Sequence, residues 1–172
     1  MPRSVRIALH IAPILASLLL IFPNIALPET RQSGPSIVPT GLAVVRPVTN
    51  SPQNDQSLKQ ALNNSFISGV EFQIRWRDIE PTQGQLDWSK LDELFAAAES
   101  SKKWVQLVIY PGFFTPSWAL EGVKTEEFAI PYGPGKGTIE RLPMPWNNLY
   151  LHRWSAFLEQ VSDRYGQSPS LR

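Results

Sequence analysis

Apolar positions along this chain recur with two periods that take turns. Residues 41–48 form a short apolar run between a glycine and a proline, which predicts a first strand. Over residues 55–66 the spacing changes to three and four, with Leu58, Ala61, Leu62 and Phe66 on one side, which predicts a helix. Residues 69–76 alternate: Val70, Phe72, Ile74 and Trp76 fall on one face, and Glu71, Gln73 and Arg75, continued by Arg77, on the other. Residues 88–102 return to helical spacing through Leu91, Leu94, Phe95 and Ala98, with Asp87 placed to cap them. A third strand is expected over Trp104–Tyr110, with Gln106 opposite Val105, Leu107 and Ile109. Residues 111–145, rich in proline and glycine, read as one long loop. A third helix is expected over Asn148–Tyr165, with Leu151, Trp154, Phe157, Leu158 and Val161 as its apolar stripe, Asn147 as its cap and Gly166 as its terminator. Residues 168–172 read as the lead into a fourth strand.

Strands alternating with helices call for right-handed βαβ units and a parallel sheet. A doubly wound sheet buries both faces of its central strands, which should then be apolar throughout. The second strand is not, the third is mixed, and the first carries Arg46 near its C-terminal end. A wet edge strand explains one such pattern but not two or three in succession. A barrel whose strands send polar groups inward, towards a site at the C-terminal mouth, explains them together. The fold class expected is therefore α/β, a partial (β/α)8 TIM barrel of about three βα units. A whole barrel takes about 250 residues, against 146 after Ala26, so the chain reads as truncated.

The N-terminus follows another pattern. Arg3 and Arg6 precede an almost wholly apolar run over residues 7–22, and Pro23-Asn24-Ile25-Ala26 resembles a cleavage region. This predicts a signal peptide over residues 1–26, a flexible leader over 27–40 and a domain over 41–172. The alternative is an uncleaved signal anchor; against it, His10 and Pro13 break a run shorter than the roughly 20 residues a span requires. The chain is expected to be secreted or periplasmic, touching membrane only through that segment. A net charge of +1 gives no reason to expect a nucleic acid, and the absence of cysteine removes disulfides, thiolate metal sites and a cysteine nucleophile. Six tryptophans and 16 prolines suit instead a surface that stacks on sugar rings. Tyr132-Gly133-Pro134-Gly135-Lys136-Gly137 lacks the spacing of a phosphate-binding loop and reads as a glycine-rich excursion.

The densest signal lies at residues 76–92, Trp-Arg-Asp-Ile-Glu-Pro-Thr-Gln-Gly-Gln-Leu-Asp-Trp-Ser-Lys-Leu-Asp. Pro81 and Gly84 supply a rigid turn, and Trp88 and Leu91 are placed to fasten the next helix to the sheet. The segment resembles the W-x-x-I-E-P-x-x-G-x-x-D-[WF]-x-x-L-D connection of clan A glycoside hydrolases, especially the family 42 β-galactosidases and nearby groups. Thr115-Pro116-Ser117-Trp118-Ala119-Leu120 is similar to the T-P-P-A-W-L loop of the same enzymes, and Arg164-Tyr165 to their R-Y motif before the fourth strand. Order and spacing together make the match more specific than any one motif.

The resemblance implies retaining hydrolysis of a β-glycoside by two carboxylates about 5–5.5 Å apart, with no metal or organic cofactor. In that clan they close strands four and seven, the first in an Asn-Glu pair. This sequence contains no Asn-Glu dipeptide, so no catalytic residue is assigned and the chain is expected to be inactive as written. Glu80 is read as an acceptor for backbone N–H groups, and Glu71 as a partner of Arg46 or Arg75. Asp78 and Asp87 are read as turn and cap residues. Arg46, Arg75 and Tyr110 near the strand ends are the candidate contacts to sugar hydroxyls, the other reading being a salt-bridged barrel core. Trp76 and Trp118 are the candidate stacking platforms, with ordinary packing the competing role for Trp76. Trp104 and Trp154 are read as core. The expected partner is an oligosaccharide or glycoside. A non-catalytic secreted carbohydrate-binding or scaffold protein is the alternative, and a small α/β protein with a wet-edged sheet is the third.

Overall fold

The computed structural model describes residues 38–131 and 135–172; the expected signal peptide and most of the leader lie outside the described residues, as does the start of the glycine-rich excursion. The elements run β1 (Leu42–Arg46), α1 (Pro52–Asn63), β2 (Ile67–Arg75), the one-turn α2 (Trp76–Ile79), α3 (Ser89–Ser100), β3 (Trp104–Tyr110), β4 (Thr125–Ala129), β5 (Ile139–Pro143) and α4 (Asn148–Tyr165). β1, β2 and β3 form one parallel sheet in chain order, while β4 and β5 form a separate antiparallel hairpin. At the end of the chain Leu171 bridges to Val105 in parallel, with Val105 N donating to Ser170 O at 2.7 Å and Arg172 N to Val105 O at 3.0 Å. Residues 170–172 thus begin to pair beside β3. Four successive segments lie side by side with no reversal of order, unlike a doubly wound sheet.

Right-handed crossovers that advance in one direction put their helices on one side of the sheet. Val70, Phe72 and Ile74 of β2 and Val105 of β3 are buried in one cluster with Ala61 and Leu62 of α1, the four predicted positions of α3 (Leu91, Leu94, Phe95, Ala98) and Phe157 of α4. The alternation read on β2 is therefore real, its apolar side facing the helices. On the other side the register pairs Glu71 with Gln106, Gln73 with Val108 and Arg75 with Tyr110, and none of these residues is fully buried. At the lower end of that face Gly69 lies beside Trp104. A methyl group at Gly69 would come within 2.0 Å of the Trp104 ring, so the indole requires glycine there.

Several expectations need correcting. The first helix starts three residues earlier than expected, because Ser51 caps it (Asn54 N donates to Ser51 Oγ) with Pro52 at its first position. It ends before Phe66, which is 81 % exposed. Asp87 is not the cap of α3: Trp88 occupies that position, and Asp87, one residue earlier, accepts from Ser89 N at 3.0 Å. A bond from the Ser89 side chain, and after it this backbone bond, hold its carboxyl below the usual range. α4 follows its predicted limits, and Asn147 Oδ1 accepts from Tyr150 N. Phe157 is buried as predicted and Trp154 and Val161 pack against the core, but Tyr150 and Tyr165 complete the inward side, and Leu151 and Leu158 are exposed. Gly166 closes the helix in an ordinary right-handed conformation, not a left-handed one. Within the long loop the antiparallel hairpin was not anticipated.

Candidate functional site

Immediately after β2 the chain makes one turn of helix and then a tight reversal held by Glu80. This side chain is 3 % exposed. One carboxylate oxygen accepts from Gly84 N at 2.9 Å and the other from Trp76 Nε1 at 3.1 Å. Its backbone carbonyl accepts from Trp118 Nε1 at 3.1 Å. Gly84 takes φ +74°, and Gln85 N donates to Thr82 O across the turn; a positive φ at the third turn position is what glycine supplies without steric cost. Glu80 is the backbone brace read from the sequence, and it also orients two indoles.

Both indoles belong to the core or its margin. Trp76 is 0 % exposed. It meets Trp118 edge-on at 5.8 Å and lies 5.0 Å from Trp154 and 5.2 Å from Phe157. It has no face left for a sugar, so the stacking role read for it is replaced by packing. Trp118 is only partly buried and keeps some exposed surface.

Arg46 also departs from its expected place. Its register partner is Phe72, so its side chain emerges on the helix-covered side, not the polar one. There it is 4 % exposed, bonded to Asp55 at 2.7 Å and stacked 5.0 Å from the Phe72 ring. It therefore cannot partner Glu71; Gln73 Nε2 donates to Glu71 Oε1 at 2.6 Å instead. The signal that separates Arg46 from Arg75 is register: a shift of one residue moves a side chain to the opposite face.

Arg75 and Tyr110 remain together, side by side at the C-terminal ends of β2 and β3 on the open face. Phe114 joins them, with the Arg75 guanidinium 5.0 Å over its ring and Tyr110 edge-on at 6.2 Å. No described residue accepts a hydrogen bond from Arg75, whose Nε is buried without a partner among them. Arg77 covers the same Phe114 ring at 5.3 Å. Phe114 is a residue that sequence reasoning missed, hidden in a loop with no periodicity. Beyond it a cavity of about 540 Å³ opens between the β2–α3 connection and the hairpin. Among the described residues no group of three or more His, Cys, Asp or Glu could hold a metal ion.

The two ends of the motif region are fastened to each other. Arg164 donates from Nε and Nη2 to the two oxygens of Asp92 at 3.0 and 2.6 Å, and Tyr165 Oη donates to Asp92 Oδ1 at 2.7 Å. The Arg164 bond, and after it the Tyr165 bond, hold the Asp92 carboxyl below its ordinary range. Burial, then the bond to Asp92, pushes the Tyr165 hydroxyl up. Residues chosen separately for their resemblance to one family thus meet across more than seventy positions.

No family model matches the chain, and no curated protein matches it. Solved structures do match. A polyextremophilic β-galactosidase from the Antarctic haloarchaeon Halorubrum lacusprofundi aligns over 76 % of this chain at 19 % identity and a TM-score of 0.51. A β-galactosidase from the psychrophilic Marinomonas ef1 aligns over 76 % at 20 % identity and a TM-score of 0.51. A cold-adapted β-galactosidase from Rahnella sp. R3 aligns over 76 % at 15 % identity and a TM-score of 0.52. In each case the alignment covers 20 % of the β-galactosidase chain. The resemblance read from the motifs is matched at the level of fold.

Proposed function

We propose that residues 41–172 form the first three βα units of a (β/α)8 barrel in a retaining β-glycoside hydrolase, with the open polar face turned to the barrel interior. One observation carries this reading: parallel segments laid side by side in chain order, helices on one side and polar groups on the other. The β-galactosidase fold of the neighbours supports it and makes a β-galactoside the first substrate to try. In this reading Arg75 and Tyr110 bind sugar hydroxyls at the mouth, since both carry donors that no described residue uses, and Trp118 offers a partial ring edge. Glu71 is the carboxylate that these three strands contribute to the open face, and a retaining mechanism needs two. The catalytic pair then comes from polypeptide outside this sequence, and the chain itself turns over no substrate. Secretion behind a cleaved signal peptide belongs to the same proposal, and N-terminal sequencing of exported protein checks it.

The test is a titration of galactose into the 172-residue chain followed by 15N–1H NMR, with a nitrophenyl β-galactoside assay beside it. Shifts gathered at Arg75 and Tyr110, lost in Arg75→Met, and no turnover are the expected results. Turnover, or no response to galactose, overturns the proposal. The carbohydrate-binding alternative, favoured by the single open-face carboxylate, predicts the same binding. It differs in predicting that no strand ending in Asn-Glu is encoded downstream of codon 172.

A further inference from the structure

The mouth of the sheet carries two arginines that no described residue neutralises. Arg75 closes β2 and Arg77 lies in the single turn of α2. Their guanidiniums sit 5.0 and 5.3 Å from the centre of the same Phe114 ring. Neither donates a hydrogen bond to a described residue, and the ion pairs among those residues, Arg46–Asp55 and Arg164–Asp92, do not include them. Of the nitrogens on these two side chains, only Arg75 Nε is shut away from solvent. The nearby carboxylates are engaged or out of reach. Glu80 is bonded to Gly84 N and Trp76 Nε1. Glu71 stands four residues back along β2, roughly 13 Å by the rise of a strand, and accepts from Gln73. Asp78 and Glu140 line the cavity with Arg77 but stay outside ion-pair distance of it.

A ring face attracts a cation but leaves the edge of a guanidinium, where its N–H donors lie, unbonded. Two like charges over one ring repel each other, and an anion beside both relieves that repulsion. The planar fork of arginine matches an oxyanion, with two N–H groups directed at two oxygens. Elsewhere in the cavity wall Asp78 and Glu140 outnumber Arg141, so an anion is favoured only at the Phe114 end. Arg77 falls at a position that the W-x-x-I-E-P pattern leaves open, so the pair belongs to this chain and not to the motif.

We propose that Arg75 and Arg77 together bind an anionic group on the sugar, a carboxylate or a sulfate, so that the mouth prefers an acidic galactoside to a neutral one. The inference rests on the mouth as the sugar site of the reading above and names the class of sugar. Galactose, galacturonate and galactose 6-sulfate, each titrated into the 172-residue chain and followed by 15N–1H NMR, provide the test. At least one acidic sugar should bind about tenfold more tightly than galactose in low salt, the gain from making a neutral hydrogen bond charge-assisted. The sugars that do so identify the group. The advantage should shrink at about 0.5 M salt, where exposed charges are screened. Arg77→Gln should bring the acidic sugars close to galactose, and Arg77→Lys, which keeps the charge without the fork, should retain part of the gain. Acidic sugars that bind no more tightly than galactose, or an advantage that survives Arg77→Gln intact, overturn this inference and leave the hydrolase reading in place. A response to the acidic sugars alone upholds it and removes the neutral galactoside from that reading. If no sugar binds, both fall.

Discussion

The connections that leave β2 and β3 do the same topological job with opposite means. Between Ile79 and Ser89 the chain turns through a short segment in which one buried carboxylate satisfies an indole N–H and a backbone N–H, and a glycine takes the positive φ. Between Tyr110 and Asn148 it wanders through two 3₁₀ turns and a hairpin whose apolar side chains, Phe128 and Ile139, stay exposed. The first connection is pinned to the core by Ile79 and Glu80 while its turn, residues 81–85, is exposed; the second also reaches the core, through Ala119 and Val123, before its hairpin runs out to the rim. The lesson is a division of labour: a turn that must close tightly is fixed by one buried, doubly bonded carboxylate, and a wall that shapes a cavity needs no such anchor.

This contrast can be broken from either side. The largest effect should come from Trp76→Ala, which empties the centre of the aromatic cluster. A loss of about 3–5 kcal/mol is expected by urea denaturation, and a loss below 1 would show that the short connection is not anchored in the core. Glu80→Ala leaves two donors without acceptors and should cost about 2–4 kcal/mol. Glu80→Gln, which retains one acceptor oxygen, should cost roughly half as much. Equal stabilities for Glu80→Ala and the parent would remove the brace from the argument.

The Asp92 clasp gives a pH test. Its carboxyl is depressed in the folded chain, so its contribution is present above the unfolded value, near 3.8, and is lost as pH falls through the lower folded value. The gap in melting temperature between the parent and Asp92→Asn should be constant from about pH 5 to 8 and close below about pH 4. A gap that widens in acid would reverse the sign. The smallest effect belongs to the hairpin: Phe128→Ala should cost less than about 1 kcal/mol, as expected for an exposed site. A loss comparable with that of Trp76→Ala would mean that the hairpin is a structural element after all.

Legibility in the sequence followed this same divide. α3 was predicted down to each of its buried positions, β3 and α4 to their limits, and Glu80 to its role, because local spacing and turn chemistry control them. Phe114 and the β4–β5 hairpin were missed, since exposed strands in a loop rich in proline and glycine carry no strong alternation. Leu151 and Leu158 were misplaced because an amphipathic stripe has width, and which edge turns inward depends on what it packs against. Tyr150 and Tyr165 won those places by bonding as well as packing: Tyr150 Oη lies 3.3 Å from Thr115 Oγ1, and Tyr165 reaches Asp92.

The amino-acid order by itself determined the alternation of strands and helices, the polar side of β2, the braced turn and the resemblance to a glycoside hydrolase. All of these depend on neighbours within a few residues. Tertiary structure decided which arginine serves which face, that Trp76 is core, that Asp92 is clasped by Arg164 and Tyr165, and that a hairpin walls a cavity at the sheet's mouth. The physical reason is register. Side chains alternate across a strand, so a one-residue difference in pairing exchanges solvent for core, and that pairing is set only when distant segments meet.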